Sequence, residues 1–253
     1  METIAPSQRV GAEPPRLSES AALYLDFDGT LVDFAPAPDL VQVRSELPAL
    51  LSSLHARQHG AVAVVSGRRL SEVDHLCCPV VLAGAGVHGA ELRPHVPGST
   101  QFHVDPRADE IAQALRIRFA EDRRVLVEDK GAAVALHFRL APERAEECIQ
   151  AMRALARPRA LEVLVGNQVV EARVHGFDKG HAIRMLAAQA PFAGRMPIFV
   201  GDDRTDEDGF VAVAALGGYG VKVGPGETAA RYRCESIEAV HIWLRRSLRG
   251  DVF

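Results

Sequence analysis

Residues 21–31 read Ala-Ala-Leu-Tyr-Leu-Asp-Phe-Asp-Gly-Thr-Leu. Five apolar residues without polar alternation describe a strand covered on both faces, as in a parallel sheet. The run then stops at Asp26-Phe27-Asp28-Gly29. On its own, Asp28-Gly29 is equally a hairpin turn. Recurrence decides the matter. Ala61–Val65 is a second apolar run and ends in Ser66-Gly67-Arg68. Val80–Ala83 is a third. Pro197–Val200 ends in Gly201-Asp202-Asp203-Arg204-Thr205-Asp206-Glu207-Asp208, and Tyr219–Val223 follows. Helical patterns over Leu47–Gln58, Lys179–Gln189, 206–215 and 236–248 separate these runs. Strands alternating with helices predict a doubly wound, Rossmann-like α/β fold with a parallel sheet.

The middle of the chain reads differently. Gln101–Val104 is a short strand and Arg107–Phe119 a helix. Arg124–Glu128 and Ala132–Arg139 form one hairpin around Asp129, Lys130 and Gly131. Ala141–Leu155 is helical, with Pro142 in a suitable first turn. Leu161–Val165 and Gln168–Arg173 form a second hairpin around Gly166-Asn167. Hairpins with helices predict a smaller α+β cap domain, residues 97–175, inserted into a core made of 20–96 and 176–253. Residues 1–19 carry Pro6, Gly11, Pro14 and Pro15 among small and polar residues, and are expected to be a disordered lead-in.

Composition narrows the function classes. With 253 residues, 29 Lys+Arg and 33 Asp+Glu, the net charge is -4. That balance argues against a nucleic-acid partner, which calls for a basic surface. The longest apolar stretches, Leu76–Val87 and Phe210–Val221, fall short of the ~18 residues a membrane helix needs. Cys77, Cys78, Cys148 and Cys234 are too few and too irregular for a disulfide scaffold or zinc spacing; Cys77 and Cys78 are expected to be buried or structural. No signal-peptide pattern opens the chain. The expectation is a monomer in the reducing cytoplasm with a small-molecule substrate.

The ends of the strands carry the chemistry. In an open α/β sheet, ligands bind beyond the carboxyl ends of the strands, so three polar motifs converge on one edge. Each has a plainer reading. Ser66-Gly67 is also a strand-to-helix cap, and the acids from Asp202 to Asp208 suit a helix N-terminus. Glu207 and Asp208 belong to that explanation. Asp26, Asp28, Asp202 and Asp203 do not, because so many carboxylates together repel unless a cation sits among them. A small set of oxygen ligands points to Mg2+. A carboxylate nucleophile, a second carboxylic acid and a cation make a phosphoryl-transfer site. Ser66 can donate to the phosphoryl group. Lys179, opening a helix in Asp178-Lys179-Gly180, can neutralise it, although a surface lysine is the alternative.

Asp-x-Asp-Gly-Thr-Leu at 26–31, then Ser66, Lys179 and Gly201-Asp202-Asp203, resembles the haloacid-dehalogenase (HAD) superfamily in order and spacing. The likeness extends to Val65-Ser66-Gly67-Arg68, Gly86-Val87-His88-Gly89, Glu128-Asp129-Lys130, His137-Phe138-Arg139, Glu171-Ala172-Arg173 and Gly201–Asp208. These resemble the trehalose-6-phosphate phosphatase family over roughly residues 20–245. Val174 stands where many members have proline. The resemblance implies an Mg2+-dependent phosphatase of trehalose biosynthesis, with functional coupling to a trehalose-phosphate synthase. It implies Asp26 as nucleophile and metal ligand, and Asp28 as general acid/base whose backbone carbonyl also binds metal. Asp202 is implied as the third ligand, Asp203 and Asp206 as supporting residues, and Ser66 and Lys179 as phosphate-binding residues. Two alternatives stay open: a phosphatase for another sugar phosphate, and a non-catalytic sugar-phosphate sensor.

Alternation places Glu128 with Lys130, His137 with Arg139, and Glu171 with Arg173, each pair on one face of its strand. Val134, Leu136, Phe138, Val170 and Ala172 fall opposite. A solvated sheet face accounts for this pattern too. The resemblance implies instead that Glu128, Lys130, Arg139 and Glu171 contact the sugar, with Arg68 at the same mouth. His88 is either a loop histidine packed on the core or a residue near the domain boundary.

Overall fold

The fold is built outward from β1 (Ala21–Leu25), whose five residues are all buried. The computed structural model describes residues 12–35 and 40–249. The strands are β1, β2 (Val62–Val65), β3 (Ala83–Gly86), β4 (Glu91–Arg93), β5 (Gln101–Phe102), β6 (Leu126–Asp129), β7 (Ala133–His137), β8 (Glu162–Gly166), β9 (Val169–Arg173), β10 (Met196–Gly201), β11 (Tyr219–Val223) and β12 (Tyr232–Cys234). The helices are α1 (Leu47–Arg57), α2 (Leu70–Leu76), α3 (Pro106–Arg118), α4 (Ala145–Ala156), α5 (Lys179–Ala187), α6 (Glu207–Ala215) and α7 (Ile237–Leu248).

An eight-stranded sheet has the order β12-β11-β10-β1-β2-β3-β4-β5. Its pairings from β12 through β3 are parallel. β4 and β5 close one edge in antiparallel fashion. The alternation of β1 shows the double winding. Ala21, Leu23 and Leu25 pack with Leu47, Leu51 and Leu54 of α1 and Val240, Trp243 and Leu244 of α7. Ala22 and Tyr24 pack on the other side with Ile183 and Leu186 of α5 and Phe210 and Val213 of α6. A four-stranded antiparallel sheet, β6-β7-β9-β8, stands apart from it. Val134, Leu136, Val170 and Ala172 fill its apolar face against Ile111 and Leu115 of α3 and Met152 of α4. The apolar face is the one that alternation predicts. Among the described residues, no helix is long and apolar enough to cross a membrane.

Local chemistry sets the element ends. Asp178 caps α5 by accepting from the His181 N–H at 2.6 Å, and Ser236 caps α7 through Ala239. These contacts satisfy amide groups that have no partner within the helix.

Four expectations are corrected. The third strand lies at Ala83–Gly86, not Val80–Ala83. Its glycines let neighbours come close: a Cβ on Gly84 would lie 2.6 Å from the Val64 carbonyl oxygen. The strand at Gln101–Phe102 pairs with β4 in the larger sheet, so the segment assigned to the inserted domain begins on the core sheet. Within 12–19 of the expected disordered lead-in, Pro14 and Leu17 are buried and anchor the segment. Leu17 is buried in the core. Its N–H donates to Ser247 Oγ, and Trp243 Nε1 donates to the Pro15 carbonyl at 2.8 Å. The remainder of that lead-in, 1–11, lies outside the described residues. Finally, Cys77 is buried but Cys78 is exposed.

Candidate active site

Lys179 organises the site. It opens α5 and is almost completely buried, with Nζ donating to Asp26 Oδ1 at 2.7 Å and to Asp206 Oδ1 at 2.6 Å. Asp26 immediately follows β1; Asp206 follows β10, the neighbour of β1 in the sheet. The other oxygen of Asp206 accepts from the backbone N–H groups of Asp202 and Asp203, at 2.9 and 3.0 Å. Asp206 thus clamps the loop that presents Asp202 and simultaneously anchors the lysine. Burial works against the Lys179 ammonium, but the carboxylates of Asp206 and Asp26 outweigh it and lift its pKa well above the usual value.

Asp26, Asp202 and Asp206 each offer an oxygen within 4.8 Å of the others. The lysine does not neutralise this cluster. Burial, then the charge of Asp206, holds the Asp26 carboxyl well above its ordinary pKa despite Lys179. Burial and the charges of Asp206 and Asp203 push Asp202 up to about 7. The repulsion is what a bound cation relieves, and the all-oxygen donor set suits Mg2+. The backbone opposite Asp202 is built for close approach. Gly29 comes so close to Asp202 that a Cβ there would sit 2.3 Å from Oδ2, and its φ is +81°. Asp206 has both oxygens engaged, whereas Asp26 has one on Lys179 and Asp202 has one 3.4 Å from Thr30 Oγ1, so each of these two keeps a second oxygen for a metal. Lys222, buried in β11, donates to the Asp202 carbonyl and steadies that residue from below.

Asp28 faces Arg68. The guanidinium grips both carboxylate oxygens, Nε to Oδ2 at 2.6 Å and Nη2 to Oδ1 at 2.9 Å. Arg68 also lies 3.4 Å from Glu72 of α2. Ser66 is buried at the end of β2, and its Oγ accepts from the Arg68 N–H at 3.1 Å. Asp203 accepts from the N–H and hydroxyl of Thr205 and caps the turn at 204–206.

The polar face of the smaller sheet supplies a second cluster. Lys130 Nζ donates to Glu171 Oε2 at 2.9 Å and lies 3.9 Å from Glu128. Glu128 is paired with His137 Nε2 at 2.7 Å. β6 ends at Asp129, but the Lys130 N–H still donates to Ala133, which keeps Lys130 on the face of Glu128. Glu171 is buried against Lys130 and His88; burial works against its carboxylate, but the Lys130 ammonium and the His88 contact outweigh it and hold the carboxyl well below the usual range. Two contacts tie this sheet to the Ser66–Arg69 loop: Lys130 Nζ to the Gly67 carbonyl at 3.0 Å, and Arg69 Nη2 to the Asp129 carbonyl at 2.8 Å.

The structure therefore gathers Asp26, Lys179, Asp202 and Asp206 in one cluster, pairs Asp28 with Arg68, and gathers Glu128, Lys130 and Glu171 in another. It separates Arg139 from that last group. β7 ends at His137, so alternation no longer governs Arg139. Its guanidinium donates to the carbonyls of Ala35 and Asn167 and stacks 5.8 Å from the Phe34 ring. Arg68, expected at the mouth of the site, pairs with the carboxylate of Asp28. Lys222 was missed, although a lone lysine in the apolar run Tyr219–Val223 was a readable signal. So was Glu72.

Comparison with known proteins supplies the context. A family model described as Trehalose-phosphatase matches residues 24–237. The chain belongs to that family. The chain is 39% identical over 236 residues to the trehalose-6-phosphate phosphatase of Escherichia coli (strain K12), covering 92% of this chain and 88% of that one. It is 43% identical over 211 residues to the probable trehalose-phosphate phosphatase of Sinorhizobium fredii (strain NBRC 101917 / NGR234), with coverages of 81% and 78%. A crystal structure of a trehalose-6-phosphate phosphatase related protein superposes with a TM-score of 0.75 at 26% identity, covering 88% of this chain and 95% of that one. The chain is thus a phosphatase, and its parallel sheet with a smaller inserted sheet is the HAD-type architecture that the sequence predicts.

Proposed function

We propose that this phosphatase hydrolyses trehalose 6-phosphate to trehalose and phosphate in two displacements through Asp26. The observation that carries the reading is the Lys179-centred carboxylate cluster at the carboxyl edge of β1 and β10, opposite a sheet whose polar face offers Glu128, Lys130 and Glu171. The names of the relatives support the substrate.

In the first displacement, an Asp26 carboxylate oxygen bonds to phosphorus and the bond from phosphorus to the sugar oxygen breaks. The leaving oxygen takes its proton from the Asp28 carboxyl. In the second, water bonds to the phosphorus of the aspartyl-phosphate, gives its proton to the Asp28 carboxylate, and the bond to Asp26 breaks. Splitting the reaction replaces one difficult step with two easier ones. Lys179 and Ser66 bind the phosphoryl oxygens, and Lys179 balances their charge without reorganising. Asp26, the Asp28 carbonyl and Asp202 would hold Mg2+, with Asp203 and Asp206 supporting their loop; bound there, the cation supplies charge neutralisation at the transferring phosphoryl group. Arg68 holds Asp28 by both oxygens, so Asp28 delivers a proton only after substrate entry opens that pair.

The smaller sheet with α3 and α4 acts as a cap that reads the sugar and excludes bulk water on closing. Carboxylates that accept from hydroxyls, beside a lysine that donates, suit a neutral sugar moiety. Arg139 contributes by joining the cap to the loop after β1. Trehalose 6-phosphate is a phosphomonoester that a glycosyl-transferring synthase must supply, and functional coupling to such an enzyme is part of the same proposal.

The test is phosphate release from trehalose 6-phosphate, sucrose 6-phosphate, glucose 6-phosphate and an aryl phosphate, with Mg2+ and with chelator. The expected result is Mg2+-dependent preference for trehalose 6-phosphate, abolished in Asp26→Asn. Activity confined to the aryl phosphate discards the sugar. Near-normal turnover by Asp26→Asn discards the nucleophile.

A further inference from the structure

The loop after β3 carries three successive residues in the left-handed region: Val87 at φ 47°, His88 at 54° and Gly89 at 109°. Glycine adopts this conformation freely. A β-branched valine and a histidine side by side do not, and such strain persists only where surrounding contacts impose it. Those contacts are visible. The N–H of Val87 donates to the Arg68 carbonyl at 2.9 Å, and that of His88 to the Ser66 carbonyl at 3.0 Å. The strained turn is therefore laced to the loop after β2 that carries Ser66, Gly67 and Arg68. The His88 ring lies directly on Gly67, where a Cβ would sit 2.8 Å from Nε2.

Together the two loops make a platform beneath the smaller sheet. It presents the His88 imidazole beside the Gly67 carbonyl. From the sheet above, Lys130 Nζ bridges Glu171 Oε2 and that carbonyl, at 2.9 and 3.0 Å. The other oxygen, Glu171 Oε1, faces His88 Nε2 at 3.3 Å. A ring of four groups thus spans the seam between the sheets. Both His88 and Glu171 are buried. Yet beyond this contact with the imidazole, Glu171 Oε1 accepts no hydrogen bond from the protein. It retains a lone pair for a ligand hydroxyl while the imidazole fixes its direction. A histidine serving only as core packing would not require a strained turn and a bare glycine to bring it to this carboxylate.

We propose that His88 is a positioning residue for substrate recognition: from the core side, it holds Glu171 over the phosphoryl site in the geometry that accepts a sugar hydroxyl. The proposal rests on the trehalose 6-phosphate reading and deepens it.

The experiment compares kcat and KM for trehalose 6-phosphate and for an aryl phosphate in the wild type, His88→Asn, His88→Gln, Glu171→Gln and the double variant His88→Asn/Glu171→Gln. Asparagine tolerates the left-handed backbone but is too short to reach Glu171; glutamine reaches it. Relative to the wild type, His88→Asn should lose about tenfold more in kcat/KM on trehalose 6-phosphate than on the aryl phosphate, the size expected for one hydrogen bond to a charged group. The loss should fall on KM. His88→Gln should regain most of it, and the double variant should lose no more than Glu171→Gln alone. Parallel losses on both substrates, no recovery in His88→Gln, or multiplicative losses in the double variant overturn the proposal. The wild-type preference, measured first, judges the substrate by itself. Its failure leaves no sugar selectivity for His88 to set, and is distinguished from failure of the variants.

Discussion

Replacing Asp206 with asparagine tests the link between the sheet edge and its chemistry. Asp206 is fully buried; one oxygen accepts from Lys179 at 2.6 Å and the other from two backbone N–H groups. Asparagine keeps the volume but offers one acceptor oxygen. If that oxygen faces Lys179, the amide N–H group opposes two backbone donors. If it faces the backbone, the amide opposes the ammonium. Either arrangement leaves donors unsatisfied and removes a charge from a buried pair. Breaking such a pair costs about 3–5 kcal/mol. The Lys179 contact to Asp26 survives and the repulsion between Asp206 and Asp26 is relieved, which together keep the expected loss near the lower bound, about 3 kcal/mol. At about 2–4 °C per kcal/mol for a chain of this size, the melting temperature should fall by about 6–12 °C. The assay is urea and thermal unfolding followed by circular dichroism, with Asp208→Asn as comparison. Asp208 is exposed in the first turn of α6, so its loss should cost no more than about 1 kcal/mol. Turnover should also fall in Asp206→Asn, because the loop presenting Asp202 loses its anchor. A stability loss in Asp206→Asn no larger than in Asp208→Asn would refute the reasoning.

Other perturbations probe separate contacts. Adding Mg2+ should raise the melting temperature by relieving the repulsion between Asp26 and Asp202, since a ligand that binds only the folded state stabilises it; Asp202→Asn should abolish most of that shift in differential scanning fluorimetry. Leu17→Ala should cost about 2–3 kcal/mol in urea unfolding, because Leu17 is buried in the core rather than disordered; a loss under about 0.5 kcal/mol contradicts the packing. Glu171→Gln should destabilise most near neutral pH. The folded-state pKa of Glu171 is depressed, so its contribution is present above the ordinary carboxylate value of about 4.3 and is lost as pH falls through the folded value. The penalty should therefore shrink progressively below about pH 4; urea unfolding from pH 7 to pH 3 with a constant penalty counts against the ion-pair account.

What could be read from the sequence depended on what each residue answers to. Asp26, Asp202 and Lys179 were legible because parallel strands carry their carboxyl ends to one edge, so separate motifs corroborate one another. The apolar faces of β7 and β9 were legible because a period of two survives along any regular strand. Arg139 was not, because β7 stops two residues before it and its direction then follows the local carbonyls of Ala35 and Asn167. β3 was displaced because Gly84 and Gly86 are poor strand formers in isolation. Their value lies in the approach of Val64, Arg68 and Leu70, contacts from elsewhere in the chain. The packing of 12–19 was hidden for a similar reason. Proline-rich composition suggests disorder, while the partners Trp243 and Ser247 lie more than 200 residues away.

Asp206 shows why the electrostatics of the site demanded coordinates. In sequence, an acid in the first turn of a helix is explained by the helix dipole. In the structure, the same side chain sets how strongly Asp26 resists ionisation. Its carboxylate raises the pKa of Lys179 and of Asp26 together, keeping the lysine charged while making the neighbouring carboxylate harder to ionise. One lysine shared between two buried carboxylates cannot neutralise both, and Asp202 adds a third negative group at the same edge. The deficit of positive charge built into the fold is the physical argument for a cation there. The arrangement of Asp206 fits that argument: its oxygens accept from Lys179 and from the backbone, so it adds negative charge to the cluster while holding the loop of Asp202 in place.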